Sequence, residues 1–244
     1  NDKPGFNPYK KHPRDEYPDG TAYVAGVKQG FDLDMQIVEY EHAATDWQLA
    51  TNGENLLANG EMELGNFDAA DPSKGKIAAW KTFAIDKATQ FHFAADGADA
   101  KNRIARVMAD SKGGGKCDGG FVQRVAKLDA KASYRLAVRV RASWPLDDQH
   151  QAMVGIDPTG QTDDPLAKTV VWTSLPKLYG VWIEHTSDAI RPVDGPIGEG
   201  AISVWLRGRT TVVDPWPMKA DFDAATLRQV NTGVPQANSK YMDK

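Results

Sequence analysis

The chain has 244 residues, 41% of them hydrophobic, and a formal net charge of -4 at pH 7, which is enough for one large domain with a sizeable core. The negative charge gives no overall attraction to nucleic acid, and the sequence contains no run of eighteen apolar residues that would span a membrane. A single cysteine, Cys117, excludes an internal disulfide. We therefore expect neither a nucleic-acid partner nor membrane insertion.

The first 54 residues differ from the rest of the chain. Residues 1–20 are rich in Pro, Lys, Asp and Tyr and lack periodicity, which is typical of an extended arm. Residues 31–42 contain an alternating segment that predicts an edge strand. We expect residues 1–54 to form an N-terminal arm and an edge strand that pack on the remainder of the domain.

Short apolar segments separated by Gly, Pro and Asp follow from residue 77 to residue 230. The clearest lies in the second half of Gly119–Ala142, where a period of two places one set of side chains on a core face and the other set on a basic face. The core set is Tyr134, Leu136, Val138 and Val140, and the basic set is Arg135, Ala137, Arg139 and Arg141. A polar turn at Leu128–Ser133 precedes this strand. Frequent turns between strand-length segments favour two packed antiparallel sheets with little helix.

Several of these segments form an ordered set of motifs. Asn55–Gly65 reads NLLANGEMELG, Trp80 follows in IAAWKTFA, Gly119–Ala142 comes next, and ISVWLRG and FDAATLRQV close the series. Together they resemble galactose-binding-like jelly-roll domains of the carbohydrate-binding-module type. The resemblance implies an all-β, two-sheet antiparallel β-sandwich (jelly roll) over residues 55–230, followed by a C-terminal tail over residues 231–244. Met62 and Ala224 depart from the family's pattern.

A ligand site is predicted from the direction of side chains. Ile202, Val204 and Leu206 should face the core, which sends Ser203, Trp205 and Arg207 to the opposite face. If the neighbouring strands share one sheet, aromatic rings could stack on a sugar while guanidinium groups bind its hydroxyls or carboxylates. The predicted ligand-binding residues are Trp205, Arg207, Arg139, Arg141 and Trp172. For the arginines, the alternatives are a solvated sheet face or pairing with carboxylates on neighbouring strands. For the tryptophans, the alternative is burial in the core.

The other tryptophans receive different predictions. Trp80 and Trp182 are assigned to the core because they lie inside strands similar to those of the family. Trp144 and Trp216 adjoin prolines, so they are expected at strand ends or loops, at the rim of a site or covering the sandwich.

A metal site is implied by the resemblance alone. The family uses the Glu of its opening motif and the Asp of its closing motif for a structural calcium ion, and these match Glu63 and Asp223. Calcium needs six to eight oxygen ligands, to which Asp221, Glu61 and Asp68 could contribute. The alternative is a pair of solvated carboxylates without an ion.

No catalytic motif is present: the sequence has no Gly-x-Ser-x-Gly, His-Glu-x-x-His, P-loop or dinucleotide fingerprint. No catalytic residue is therefore predicted. The leading interpretation is a noncatalytic, secreted or cell-surface domain that binds a polysaccharide, with an arginine bias towards acidic sugars. Two alternatives stay open: a jelly-roll hydrolase or lyase acting on polysaccharide, and a structural or adhesive module with partners in an extracellular assembly.

Overall fold

The structure is a computed structural model that describes residues 53–97, 101–109, 116–142, 149–175, 180–193, 199–211 and 219–230. All of them belong to the unit Thr51–Lys244. The predicted arm up to residue 52, the edge strand at 31–42, Trp144, Trp216 and the tail over 231–244 lie outside the described residues. Those predictions are therefore untested.

Strands dominate the described part of the chain. They are β1 (Gly65–Asn66), β2 (Lys76–Ile77), β3 (Lys81–Ala84), β4 (Thr89–Ala95), β5 (Arg103–Ala109), β6 (Cys117–Asp129), β7 (Ser133–Ala142), β8 (His150–Asp157), β9 (Val171–Ser174), β10 (Ile183–Thr186), β11 (Glu199–Thr210) and β12 (Lys219–Val230). One 3-10 turn, Pro72–Lys74, is the sole helical element within these ranges. A helix with the length and hydropathy to cross a membrane is not found among the described residues.

Ten of the strands form two antiparallel five-stranded sheets. The Trp205 sheet has the order β3-β6-β11-β8-β9, and the Arg139 sheet has the order β10-β7-β12-β5-β4. The short strands β1 and β2 pair separately. The predicted all-β, two-sheet sandwich is thereby confirmed.

The core lies between the two sheets, as the period-two patterns predicted. Ile202, Val204 and Leu206 of β11 and Leu136 and Phe222 of the opposite sheet are all buried in one hydrophobic cluster. The alternation works because successive side chains of a strand point to opposite faces.

The turn between β6 and β7 carries the chain from one sheet to the other. Tyr134 fixes this corner, since its hydroxyl oxygen accepts a hydrogen bond from the backbone N of Asp129 at 3.0 Å and lies 3.3 Å from that residue's carbonyl oxygen. Lys131 N donates to the Asp129 carboxylate at 2.9 Å. Because of this crossing, neighbouring segments of sequence present their outer faces on opposite sides of the sandwich.

Cys117, the first residue of β6, is buried within the core. Burial raises the pKa of its thiol to about 12. The thiol is therefore protonated at neutral pH in this conformation, which is typical of a buried structural cysteine.

Candidate functional site

The five predicted ligand-binding residues divide between the two sheets. Trp172, Trp205 and Arg207 lie on β9 and β11 of the Trp205 sheet, whereas Arg139 and Arg141 lie on β7 of the Arg139 sheet. The expectation that all five share one surface is wrong. The residues are separated because the turn between β6 and β7 carries the chain from one sheet to the other. Period-two alternation predicts the face on which a side chain lies but not the sheet to which its strand belongs.

Trp205 points away from the core between the sheets, as predicted, yet it is 0% exposed. Phe83 packs edge-on against its ring at a centroid distance of 5.0 Å, and Trp172 does so at 6.3 Å. Val122 and Val170 complete this second cluster. The segment that joins β8 to β9 covers the ring, so Trp205 offers no exposed platform in this conformation.

Arg207 is also buried, and its guanidinium group is bound by other residues of the chain. It is 6% exposed, and its guanidinium group binds both carboxylate oxygens of Asp118 at 2.6 and 2.7 Å. The same group lies 5.2 Å from the centroid of the partly exposed Trp172 ring. A ligand of Arg207 would have to compete with a bidentate carboxylate, which is among the strongest partners of a guanidinium group.

Trp172 is held in place at two points. Its Nε1 donates to the carbonyl oxygen of Pro165 at 3.1 Å. Its ring lies so close to Gly155 that a Cβ atom there would approach within 2.8 Å of a ring carbon. Trp172, Trp205 and Arg207 are therefore brought together, but as a packed aromatic cluster that buries most of its own surface.

A different tryptophan lies beside the other two predicted arginines. The guanidinium carbon of Arg141 is 4.5 Å from the centroid of the Trp182 ring, and that of Arg139 is 5.1 Å away. Trp182 is partly exposed, so its assignment to the core is wrong, whereas Trp80 is buried as predicted. We call Trp182, Arg139 and Arg141 the Trp182 surface.

The register of β10 explains where Trp182 lies. Ile183 pairs with Val140, whose side chain is buried, and Glu184 pairs with Arg139. The residue before Ile183 must therefore share the outer face with the arginines. The sequence carried a signal for this arrangement, since Trp182 and Glu184 flank the apolar Ile183.

The two arginines of the Trp182 surface differ in their ion pairs. Arg141 binds Asp221 at 2.8 Å and Asp96 at 3.0 Å. Burial alone would lower the pKa of Arg141, but these two carboxylates outweigh it and raise that pKa. Arg139 is exposed and forms no ion pair with any described residue, so its guanidinium group is available to an external partner.

No protein-family model matches the sequence, and the search of curated proteins found no relative. Among solved structures, the chain is similar to a candidate sugar-binding protein from Bacteroides thetaiotaomicron, with 13% identity, a TM-score of 0.49 and coverage of 72% of this chain and 100% of that one. It is similar to a CBM4 carbohydrate-binding module, with 17% identity, a TM-score of 0.38 and coverage of 62% and 94%.

An arabinose-bound α-L-arabinofuranosidase also matches, with 16% identity, a TM-score of 0.47 and coverage of 72% of this chain. The chain spans only 26% of that enzyme's length. All three matches have identities of 13–17% and TM-scores below 0.5, so no role of this chain follows from them. The two-sheet β-sandwich is established by the chain's own strand order.

The two predicted calcium ligands both face the start of β5. Glu63 Oε1 accepts from the backbone N of Arg103 at 3.1 Å, and Asp223 Oδ2 accepts from the side-chain amide of Asn102 at 3.0 Å. Within the described ranges, no group of three or more Asp, Glu, His or Cys side chains could hold a metal ion. The described side chains thus provide two carboxylates where calcium needs six to eight oxygens, so they do not make a complete site.

Proposed function

We propose that this domain binds carbohydrate at the Trp182 surface. The observation that carries the proposal is a partly exposed indole ring lying against two guanidinium groups on the outer face of a sheet. An aromatic ring stacks on the apolar face of a pyranose, and guanidinium groups donate hydrogen bonds in a fixed plane to hydroxyls or carboxylates. Together these groups can both hold a sugar ring and orient it.

Arg139 supports the finer proposal that the sugar is acidic. Arg141 forms ion pairs with Asp221 and Asp96. Arg139 is exposed and forms no ion pair with a described residue. A uronic acid carboxylate would supply that partner in a bidentate geometry. The expected ligand is therefore a polysaccharide that carries carboxylate groups.

We further propose that the domain works outside the cell, secreted or attached to the surface, as a noncatalytic anchor. The sequence motifs shared with carbohydrate-binding modules and the absence of any catalytic motif support this role. An assay for newly formed reducing ends or unsaturated products separates it from the hydrolase and lyase alternatives, because binding alone generates neither.

Trp182→Ala is the variant that tests the proposal. We expect at least a tenfold increase in the dissociation constant for an acidic polysaccharide such as polygalacturonate, about 1.4 kcal/mol, because the stacking platform is lost. Affinity electrophoresis and calorimetry would measure it, with circular dichroism to confirm the fold.

Two matched variants make this experiment specific. Thr186 is an exposed residue of β10, the strand that follows Trp182, so Thr186→Ala should not change binding. Arg139→Gln keeps the indole and should reduce the preference for acidic over neutral polysaccharide. Unchanged affinity of Trp182→Ala across an acidic and neutral panel would overturn the proposal.

Calcium is a separate proposal, which rests on the resemblance and on the shared position of Glu63 and Asp223 beside β5. An ion that binds the folded state raises the melting temperature by mass action. Millimolar calcium chloride should therefore raise the Tm, EDTA should reverse the increase, and Asp223→Asn should remove it. Superimposable melting curves with calcium and with EDTA would contradict the proposal.

A further inference from the structure

A concave site lies at one margin of the sandwich. It opens between β3, at one edge of the Trp205 sheet, and β4, at one edge of the Arg139 sheet. Its volume is about 470 Å³, within the range of small-molecule sites. We call it the edge cleft. It is lined mainly by Lys76, Trp80, Lys81, Thr82, Phe91 and His92.

The walls of the edge cleft are aromatic and already fixed. Phe91 packs edge-on against Phe121 at a centroid distance of 5.8 Å, and part of Phe91 is exposed. Trp80 is 7% exposed and donates its Nε1 hydrogen to the carbonyl oxygen of Asn59 at 3.2 Å. A ligand would meet rings that need little reordering, which reduces the entropic cost of binding.

The rim of the edge cleft is positive. Lys76 and Lys81 are exposed and form no ion pair within the described part of the chain, and no Asp or Glu lines the cleft. Thr82 adds an exposed hydroxyl that has no side-chain hydrogen bond to a described residue. Burial lowers the pKa of His92, and the positive charge of Arg106 lowers it further, so the imidazole is neutral at pH 7. A neutral imidazole can donate or accept a hydrogen bond.

We infer that the edge cleft is a second binding site, for a sugar ring that carries a carboxylate. The apolar face of the ring would lie on Phe91, and its carboxylate would bind Lys76 and Lys81. Charge complementarity selects the anion, since two ammonium groups and no carboxylate surround the opening. A neutral sugar could use the aromatic wall but would leave both lysines without a partner.

The edge cleft is separate from the Trp182 surface. β10, which follows Trp182, is at one edge of the Arg139 sheet, and β4 is at the other, with β7, β12 and β5 between them. Four strand spacings correspond to roughly 19 Å. A single sugar ring cannot contact both sites, so each can be inactivated without direct effect on the other.

The test uses trigalacturonate as the probe and galactotriose as its neutral counterpart, in a Trp182→Ala background that removes the site proposed above. Calorimetry or NMR titration should detect binding of trigalacturonate, at least tenfold tighter than that of galactotriose. Lys76→Gln combined with Lys81→Gln should weaken trigalacturonate binding at least tenfold. Lys87→Gln, an exposed lysine that does not line the cleft, should leave it unchanged.

The outcomes separate the two sites. Loss of all trigalacturonate binding in Trp182→Ala alone, or equal affinity after the two lysine substitutions, would overturn the edge-cleft site while leaving the Trp182 surface in place. Unchanged polysaccharide binding in Trp182→Ala together with a loss in the lysine variant would overturn the Trp182 proposal and support the edge cleft. The substituted lysines are exposed, so the fold should tolerate both changes.

Discussion

Trp205→Ala is expected to lower the free energy of unfolding by about 3–5 kcal/mol. The ring is 0% exposed, and its removal would leave a cavity bordered by Phe83, Trp172, Val122 and Val170. Two edge-to-face aromatic contacts disappear with it, and each contributes about 0.5–1.5 kcal/mol beyond the area that it buries. Urea unfolding at 25 °C would measure the loss as a shift of the midpoint at constant slope.

Trp205→Phe is the matched control because it keeps an aromatic ring between Phe83 and Trp172. It also removes the indole Nε1, which is buried without a hydrogen-bond partner in the described structure. We therefore expect a loss well below that of Trp205→Ala. Both variants, when folded, should still bind polysaccharide through the Trp182 surface. A Trp205→Ala protein of unchanged stability that no longer binds would instead place Trp205 in contact with the ligand.

The sequence predicts the faces of the strands well because a strand has a strict period of two. On β7, Leu136 and Val138 are buried and Arg139 is exposed. On β11, Ile202 and Val204 face the core between the sheets, and Trp205 lies on the opposite face of its sheet. These positions depend on local geometry, which neighbouring residues determine. The two-sheet sandwich follows from the same pattern repeated between turns.

The candidate site was harder to predict because it depends on contacts between distant segments. The cover over Trp205 comes from the segment between β8 and β9, through residues such as Val170. The neighbour of Arg141 is Trp182, which immediately precedes a strand of only four residues, Ile183–Thr186. The periodicity of one strand does not predict which distant segment covers its outer face. Nor does it predict the strand with which a short edge strand pairs.

Asp221→Ala is the second change with a large expected effect, a loss of about 3–5 kcal/mol in the free energy of unfolding. The Asp221 side chain is 5% exposed and binds Arg106 at 2.6 Å and Arg141 at 2.8 Å. Without it, two largely buried guanidinium groups would face each other with only Asp96 left to bind Arg141. Breaking a buried ion pair from one side is costly because the remaining charge is neither hydrated nor paired.

Two further variants distinguish this electrostatic cost from a packing defect. Glu184→Ala removes an exposed carboxylate opposite Arg139 and should change stability by less than about 0.5 kcal/mol. Arg106→Leu combined with Asp221→Leu removes both charges and should restore much of the stability that Asp221→Ala loses. If this double variant is less stable than Asp221→Ala, the network stabilises the sheet through its hydrogen bonds and shape rather than through charge compensation.

Asp221→Ala should affect ligand binding as well as stability. Asp221 orients Arg141 through its Nε at 3.1 Å and its terminal nitrogen at 2.8 Å, and Arg141 lies 4.5 Å from the Trp182 ring. Release of Arg141 would free the indole that it supports, so Asp221→Ala should also weaken polysaccharide binding several-fold although Asp221 is itself buried. Binding that is unchanged at a temperature where the variant is fully folded would show that Trp182 is positioned without this carboxylate.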